Sequence, residues 1–326
     1  MTALRAPLHH GATSATVSVL IVGAGAVGQV LGRHLARGGA SVTFLVREKY
    51  AEETRRGFAM RPLNGGGRTS RRFDSFEVVT AVEEGARYDQ VHLAIPSPIA
   101  RGWLEPLARA TPGATIVSYQ PALDDRATIL DAGVSEERLV AALVGFIAYA
   151  APLEGEEPRE PALAYWFPPL SPCLFSGARA ESVVRALEAG DLPAKVHADV
   201  PRASAFPTAI MMAYLCALER AGWSLDALVG GSMLAAGAEA AREATAIVAA
   251  REGSPPLVAR LLGSPLLFRV GLALARRIVP FPLEAYLRAH FTKVAAQTRE
   301  IVRELVARGE ATNLPMKALE SFGSAP

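Results

Sequence analysis

The sequence predicts an α/β fold in which a doubly wound sheet is followed by an all-helical C-terminal domain. A run of mostly β-branched residues ends in a glycine-rich turn within residues 17–28. Short apolar runs then alternate with helical patterns, and from about residue 200 long alanine-rich and leucine-rich helical patterns replace them. This change of character divides the chain into a tail at 1–15, an α/β domain at 16–200 and a helical domain at 201–326.

The turn at the end of the first predicted strand has the form Gly-x-Gly-x-x-Gly. It reads Gly23-Ala24-Gly25-Ala26-Val27-Gly28, and the residues after it repeat at helical spacing. In such a turn the first glycine reverses the chain, the second lets backbone approach a pyrophosphate, and the third lets helix and strand pack closely. The free N–H groups at the helix start then bind the anion. The turn therefore predicts a Rossmann-type dinucleotide site, with a glycine-rich turn that binds no ligand as the alternative.

The second predicted strand, residues 41–46, ends at a charged segment that indicates the cofactor. About 20 residues after the glycine motif, an NAD enzyme places an acidic residue on the ribose 2′-hydroxyl. Here the first residue after the strand is Arg47, with Lys49 two positions on. Two cations suit a 2′-phosphate, so the sequence favours NADPH over NADH. Glu48 lies between them, and a solvated charged loop is the alternative.

Later strands place further candidate residues beside the cofactor. Strands are predicted at 76–80, 90–95, 114–119, 139–146, 163–167, 173–175 and 194–197, and a polar loop at 61–72. Pro96 and Ser97 follow one of these strands and Gln120 another, at the edge where ligands bind in a doubly wound sheet. We therefore expect them near the nicotinamide, with turn chemistry alone as the alternative for Ser97. His92 lies inside an apolar strand, which favours a core histidine over a catalytic one.

The last predicted helix, residues 282–308, carries a polar face. Tyr286, His290, Lys293 and Gln297 are spaced so that they share one side of a helix. A carbonyl that accepts a hydride needs a proton and a nearby positive charge. His290 and Lys293 are therefore the candidate proton donor and electrostatic stabiliser, with an ordinary solvated helix face as the alternative.

Composition restricts the partners and the location. A formal net charge of +2 gives no reason to expect nucleic acid. Cys173 and Cys216 have neither a disulfide framework nor metal-ligand spacing, so we expect no metal and a cytoplasmic protein. The apolar stretch 266–279 is interrupted by arginines and is too short to span a bilayer. It is interpreted as core or dimer interface, with membrane contact as the alternative, and we expect a homodimer through the helical domain.

The glycine turn, Arg47 and the helical C-terminal half together resemble the ketopantoate reductase family, in the 6-phosphogluconate dehydrogenase-like group. The resemblance covers roughly residues 17–318, including Cys173–Gly177 and the terminal pattern from Arg308-Gly309 to Pro315. It implies an NADPH-dependent 2-dehydropantoate 2-reductase. It also implies a catalytic glutamate at the head of the late helix, which matches Glu284. Counting back from Gly309 instead places Lys293 at that position.

The sequence departs from the family at three chemical positions. Gln120-Pro121 replaces an Asn-Gly pair, and Pro96-Ser97 replaces a lysine. The segment 200–207, which matches the family's catalytic lysine and asparagines, contains neither residue type. Arg202 is the nearest cation, but an arginine is too basic to donate a proton.

We therefore predict an NADPH-dependent reductase of a 2-oxo acid or related carbonyl. The substrate would bind between the two domains. One alternative is a reductase of an imine or of a specialised-metabolite ketone. The other is a non-catalytic NADP-binding sensor that has lost the lysine.

Overall fold

A computed structural model of the chain describes residues 16–66, 69–96, 101–120, 125–157 and 159–323. The predicted tail at 1–15 lies outside these residues. In them the chain forms strands β1 Ser18–Val22, β2 Ser41–Leu45, β3 Phe58–Pro62, β4 Arg71–Phe73, β5 Glu77–Val79, β6 Gln90–Leu93, β7 Thr115–Ser118, β8 Leu139–Leu143, β9 Ile147–Ala151, β10 Ala162–Trp166, β11 Cys173–Ser176 and β12 Ala194–Val196.

The described helices are short in the first part of the chain and longer in the second. They are α1 Ala26–Arg37, α2 Glu48–Arg55, α3 Arg101–Ala110, α4 Asp125–Asp131, α5 Ala180–Glu188, α6 Val200–Arg220, α7 Leu225–Gly230, α8 Met233–Glu252, α9 Leu257–Leu262, α10 Pro265–Ile278, α11 Leu283–Lys293, α12 Ala295–Ala311 and α13 Lys317–Gly323.

The main sheet has eight strands in the order β12-β11-β8-β7-β6-β1-β2-β5. β1 pairs in parallel with β2 on one side and with β6 on the other, so the chain winds outwards from β1 in both directions. Only the β8–β11 pair in this sheet is antiparallel among the described residues. The predicted doubly wound sheet is confirmed.

The uninterrupted apolar sequence of β1 follows from burial on both faces of this sheet. Val19 and Ile21 pack with Val30 and Leu31 of α1 on one face. Leu20 and Val22 pack on the other face, with Leu104 of α3 among their neighbours. Successive residues of a strand point to opposite faces, so a strand covered on both sides has no polar alternation.

A second, four-stranded sheet was not predicted. Its order is β4-β3-β10-β9, so the predicted loop at 61–72 is wrong over β3 and β4. The predicted strand at 163–167 exists as β10, but it belongs to this small sheet and not to the main one. β3 has one arginine among five residues and β4 has only three residues, so neither shows a clear period of two.

The small sheet is covered on both faces by different parts of the chain. Tyr165 belongs to the core that contains α1, and its ring lies edge-on to that of His34. Its strand neighbours Ala164 and Trp166 belong instead to a cluster with Phe281, which precedes α11. The small sheet thus connects the α/β part to the helical part.

From Val200 onwards the described residues are helical, as predicted. Asp199 caps α6 by accepting a hydrogen bond from the backbone N–H of Arg202 at 3.0 Å. The helical pattern at 224–252 and the predicted helix 282–308 are each divided into two helices. The second division, at Val294, ends α11 at Lys293 and places Gln297 on α12, so the predicted four-residue polar face on one helix is wrong.

The apolar stretch 266–279 forms α10, which has no buried residue. One side of α10 fits the core interpretation, because Phe268 and Leu272 pack against the helical core. The other side does not, because Leu266, Val270 and Leu274 are all more than half exposed. No helix in the described part of the chain combines the length and the apolar character that are needed to cross a bilayer.

We predict that Gly28 and Gly25 differ in their effect on stability. A Cβ at Gly28 would lie 2.1 Å from the carbonyl oxygen of Gly23, whereas one at Gly25 would meet no atom within 4 Å. Gly28→Ala should lower the free energy of unfolding by about 2 kcal/mol or more, because backbone must move. Gly25→Ala should change it by less than about 1 kcal/mol. Denaturant unfolding measures both, and equal losses would contradict the packing described for α1.

Candidate functional site

The glycine turn connects β1 to α1 in the geometry that the sequence predicted. Gly23 has a φ of +95°, which favours glycine, and its N–H donates to the carbonyl oxygen of Leu45 at 2.9 Å. This bond joins the carboxyl ends of β1 and β2. Gly28 is buried and touches Gly23, so α1 starts directly against the strand.

The start of α1 is open and polar. Gly25 is the N-cap residue, it is exposed, and no side chain caps the helix there. Ala24 is held in place because its carbonyl oxygen accepts a hydrogen bond from Gln29 Nε2 at 2.8 Å. The first N–H groups of a helix have no partner within the helix and carry partial positive charge. The free space at Gly25 therefore fits the close approach of a pyrophosphate.

Arg47, Lys49 and Tyr50 form an exposed cluster immediately after β2. The Arg47 guanidinium lies 5.1 Å from the centre of the Tyr50 ring, and Lys49 Nζ lies 4.9 Å from it. Arg47 Nη2 is also 3.4 Å from Tyr50 Oη. Cation–π attraction of this kind holds both cations near one ring. Because Leu45 bonds to Gly23, this cluster lies beside the glycine turn.

Gln120 connects the loops that follow β6 and β7. Its Nε2 donates to the carbonyl oxygens of Leu93 and Ile95 at 2.9 and 2.5 Å, and its Oε1 accepts from Ser118 Oγ at 2.8 Å. The side-chain amide is thus engaged within the protein, where it fixes the position of the loop after β6. Pro96, at the end of that loop, is exposed. Ser97 lies outside the described residues.

His92 is a core residue, as favoured from the sequence. Its Nδ1 lies 2.9 Å from Tyr119 Oη and its Nε2 lies 3.0 Å from Gln90 Oε1. Burial lowers its pKa to about 3. A fully buried, neutral ring with both nitrogens paired orders the middle of the main sheet.

The three candidate catalytic residues occupy different environments along α11. The Glu284 carboxylate accepts a hydrogen bond from the backbone N–H of Leu225 at 2.7 Å and so satisfies the start of α7. His290 stacks on Tyr286, with 5.4 Å between ring centres. Burial and the positive charge of Lys293 lower the pKa of His290 below its usual value. Lys293 itself is exposed at the last residue of the helix.

The segment where the resemblance implies a lysine is the first turn of α6. Arg202 is exposed there, and Ser204 Oγ donates to the carbonyl oxygen of Pro201 at 3.0 Å. This turn presents a guanidinium and a locally bonded hydroxyl, with no ammonium group.

Sequence reasoning also missed Arg61 of β3, which is only 5% exposed and lies in the small sheet. An arginine between Met60 and Pro62 in an otherwise apolar strand was the available signal.

The described residues include no group of three side chains that is arranged to hold a metal ion. Both cysteines are buried and unpaired.

Residues 19–151 match the family model of ketopantoate reductase PanE/ApbA. No curated protein matches the chain.

Solved structures share the fold over most of the chain. A 2-dehydropantoate 2-reductase from Geobacter metallireducens is 18% identical with a TM-score of 0.66, covering 94% of this chain and 98% of its own. A ternary complex of D-mandelate dehydrogenase with NADH and anilino(oxo)acetate is 12% identical with a TM-score of 0.67, covering 94% and 96%. A dimeric ketopantoate reductase from Staphylococcus aureus is 10% identical with a TM-score of 0.60, covering 94% and 98%.

The family match confirms the resemblance drawn from the glycine turn and Arg47, and the solved structures share the fold of both parts of the chain. Residues 19–151 are therefore similar in sequence to the ketopantoate reductase family, and the chain as a whole has the fold of that family's solved members.

Proposed function

We propose that the protein is an NADPH-dependent reductase of a 2-oxo acid or a related carbonyl compound. The observation that carries this proposal is the pairing of the open α1 start at Gly25 with the cations around Tyr50. A helix start binds the pyrophosphate common to both nicotinamide cofactors. Only the phosphorylated cofactor gives Arg47 and Lys49 an anion to bind.

The residues that would hold the cofactor are those at the carboxyl ends of β1, β2 and β6. The turn from Gly23 to Gly28 would bind the pyrophosphate, and the cluster around Tyr50 would bind the 2′-phosphate. Pro96, Ser97 and Gln120 would lie toward the nicotinamide, where Gln120 fixes the loop. When bound, NADPH supplies a hydride. A mandelate dehydrogenase with this fold has been solved with NADH, which makes the preference for NADPH the first point to test.

We propose that residues of α11 supply the proton to the carbonyl as it is reduced. His290 is shielded and close enough to Lys293 for the lysine's charge to lower its pKa. The protonated ring would therefore be a stronger acid than an ordinary histidine, although less of it is present at neutral pH. Lys293 would supply positive charge, or the proton itself. Glu284 already accepts a bond from Leu225, and we propose that it orients the start of α7 beside the substrate.

A second candidate is a non-catalytic NADP-binding sensor. It is favoured by the first turn of α6, where an exposed arginine occupies the segment that the family resemblance assigns to a lysine. Such a protein would bind NADPH and oxidise none of it with any carbonyl compound.

We also propose a homodimer through the exposed side of α10, in line with the dimeric relative. A monomeric mass by light scattering would contradict that.

The cofactor preference is tested at Arg47. Arg47→Leu should weaken NADPH binding by about tenfold to a hundredfold, because a charge-assisted hydrogen bond to phosphate is lost, and should leave NADH binding unchanged. Fluorescence titration of the purified protein measures both dissociation constants. Arg33→Leu, about two turns along α1 from the open helix start, is the matched control. Equal loss for both cofactors, or none, would remove the 2′-phosphate from the proposal.

The proton donor is identified by the pH dependence of kcat/KM for carbonyl reduction. A donor must be protonated, so with His290 as donor the rate falls as pH rises through a pKa below 6.5. Lys293→Ala removes a charge that repels the protonated His290 ring, so the fall in kcat/KM should move to higher pH. His290→Gln should abolish this pH dependence. With Lys293 as donor, Lys293→Ala instead abolishes turnover while NADPH still binds. Full activity in both variants would exclude both residues.

A further inference from the structure

A cavity of about 280 Å³ lies on the side of the small sheet that faces the helical part of the chain. Arg61, Tyr149 and Ala164 form its floor, Glu156 lies at its wall, and Pro280 and Pro282 cover it. None of these residues belongs to the proposed cofactor site. A volume of this size suits a small metabolite of a few heavy atoms.

The floor of the cavity is a row of three residues across neighbouring strands. Ala164 of β10 is paired with Arg61 of β3 on one side and with Tyr149 of β9 on the other. Neighbouring strands are about 4.8 Å apart, so the outer two backbones are separated by about 10 Å. Ala164, which is fully buried, places only a methyl group between the two long side chains.

Arg61 carries a buried positive charge without an ionic partner. Its side chain is 5% exposed, and its Nη2 donates to the carbonyl oxygen of Glu160 at 2.8 Å. Its Nε is buried and has no hydrogen-bond partner. Among the described residues it forms no ion pair. A buried guanidinium in this state is costly, and a carboxylate is the group that fits it best.

Glu156 carries the complementary charge at the same cavity. Its carboxylate accepts hydrogen bonds from Tyr149 Oη and from the backbone N–H of Leu153, which are both uncharged donors. Burial and the negative charge of Glu156 raise the pKa of Tyr149, so its hydroxyl remains a donor. The adjacent Glu157 pairs with Arg159 at 2.8 Å, so those two charges compensate each other.

The cavity is therefore lined by the Arg61 guanidinium and the Glu156 carboxylate, and among the described residues neither forms an ion pair. A simple anion would suit Arg61 but would be repelled by Glu156, and a simple cation would meet the opposite problem. We propose that this cavity binds a small zwitterion, an amino acid whose carboxylate lies on Arg61 and whose ammonium group lies on Glu156. The site is separate from the proposed reductase centre.

The experiment is calorimetric titration of the full chain with glycine, 4-aminobutanoate and 5-aminopentanoate, which differ in the distance between their charges. Acetate and methylammonium serve as single-charge probes. At least one amino acid should bind saturably and more tightly than either probe. Arg61→Met should weaken that binding by about tenfold or more, because the cation that binds the carboxylate is removed. Arg71→Met, an exposed arginine of the same sheet, is the matched control and should change nothing.

Glu156→Gln provides a test that does not depend on the buried arginine. Glutamine can still accept from Tyr149 or Leu153, so the fold should persist, which circular dichroism checks. This variant should lose amino acid binding and gain affinity for acetate. Amino acid binding that survives in both Glu156→Gln and Arg61→Met would overturn the proposal, as would no binding of any amino acid to the wild type. The state of the NADPH site affects neither result.

Discussion

The close approach of α1 to β1 determines the position of every other part of the structure. Gly28 lies against the carbonyl of Gly23, so the helix starts directly above the strand and its free N–H groups face the carboxyl edge of the main sheet. Further along α1, His34 donates from Nδ1 to the carbonyl oxygen of Gly190 at 2.7 Å and packs edge-on against Tyr165 of the small sheet. α1 thus positions the glycine turn at its start and packs against the small sheet further along its length.

The small sheet in turn gives the helical part a defined place. Phe281 and Tyr286 pack on Tyr149, with ring centres 5.0 and 5.9 Å away. This contact fixes the start of α11 and therefore the positions of His290 and Lys293 relative to the α/β part. Pro280 and Pro282, which flank Phe281, line the cavity beside Arg61. α1 packs against one face of the small sheet, and this cavity lies on the other.

Sequence reasoning predicted what depends on local pattern. The strand–turn–helix at Gly23–Gly28 and the cations after β2 could be read directly, because their periodicity and glycine spacing are local signals. The small sheet could not, since β3 pairs with β10 a hundred residues away and non-local pairing leaves no local signal. The break at Val294 was also missed, because the apolar spacing continues through it. The cavity beside Arg61 depends on the cross-strand partner Ala164, which only the register reveals.

The central claim is that this chain uses NADPH to reduce a 2-oxo acid or related carbonyl. The most direct measurement follows NADPH consumption by the purified wild-type protein across a panel of 2-oxo acids, aromatic 2-oxo acids and cyclic imines. We expect turnover with at least one 2-oxo acid and a clear preference for NADPH over NADH. Tight NADPH binding without consumption of the cofactor by any compound in the panel would contradict the reductase and indicate the sensor instead.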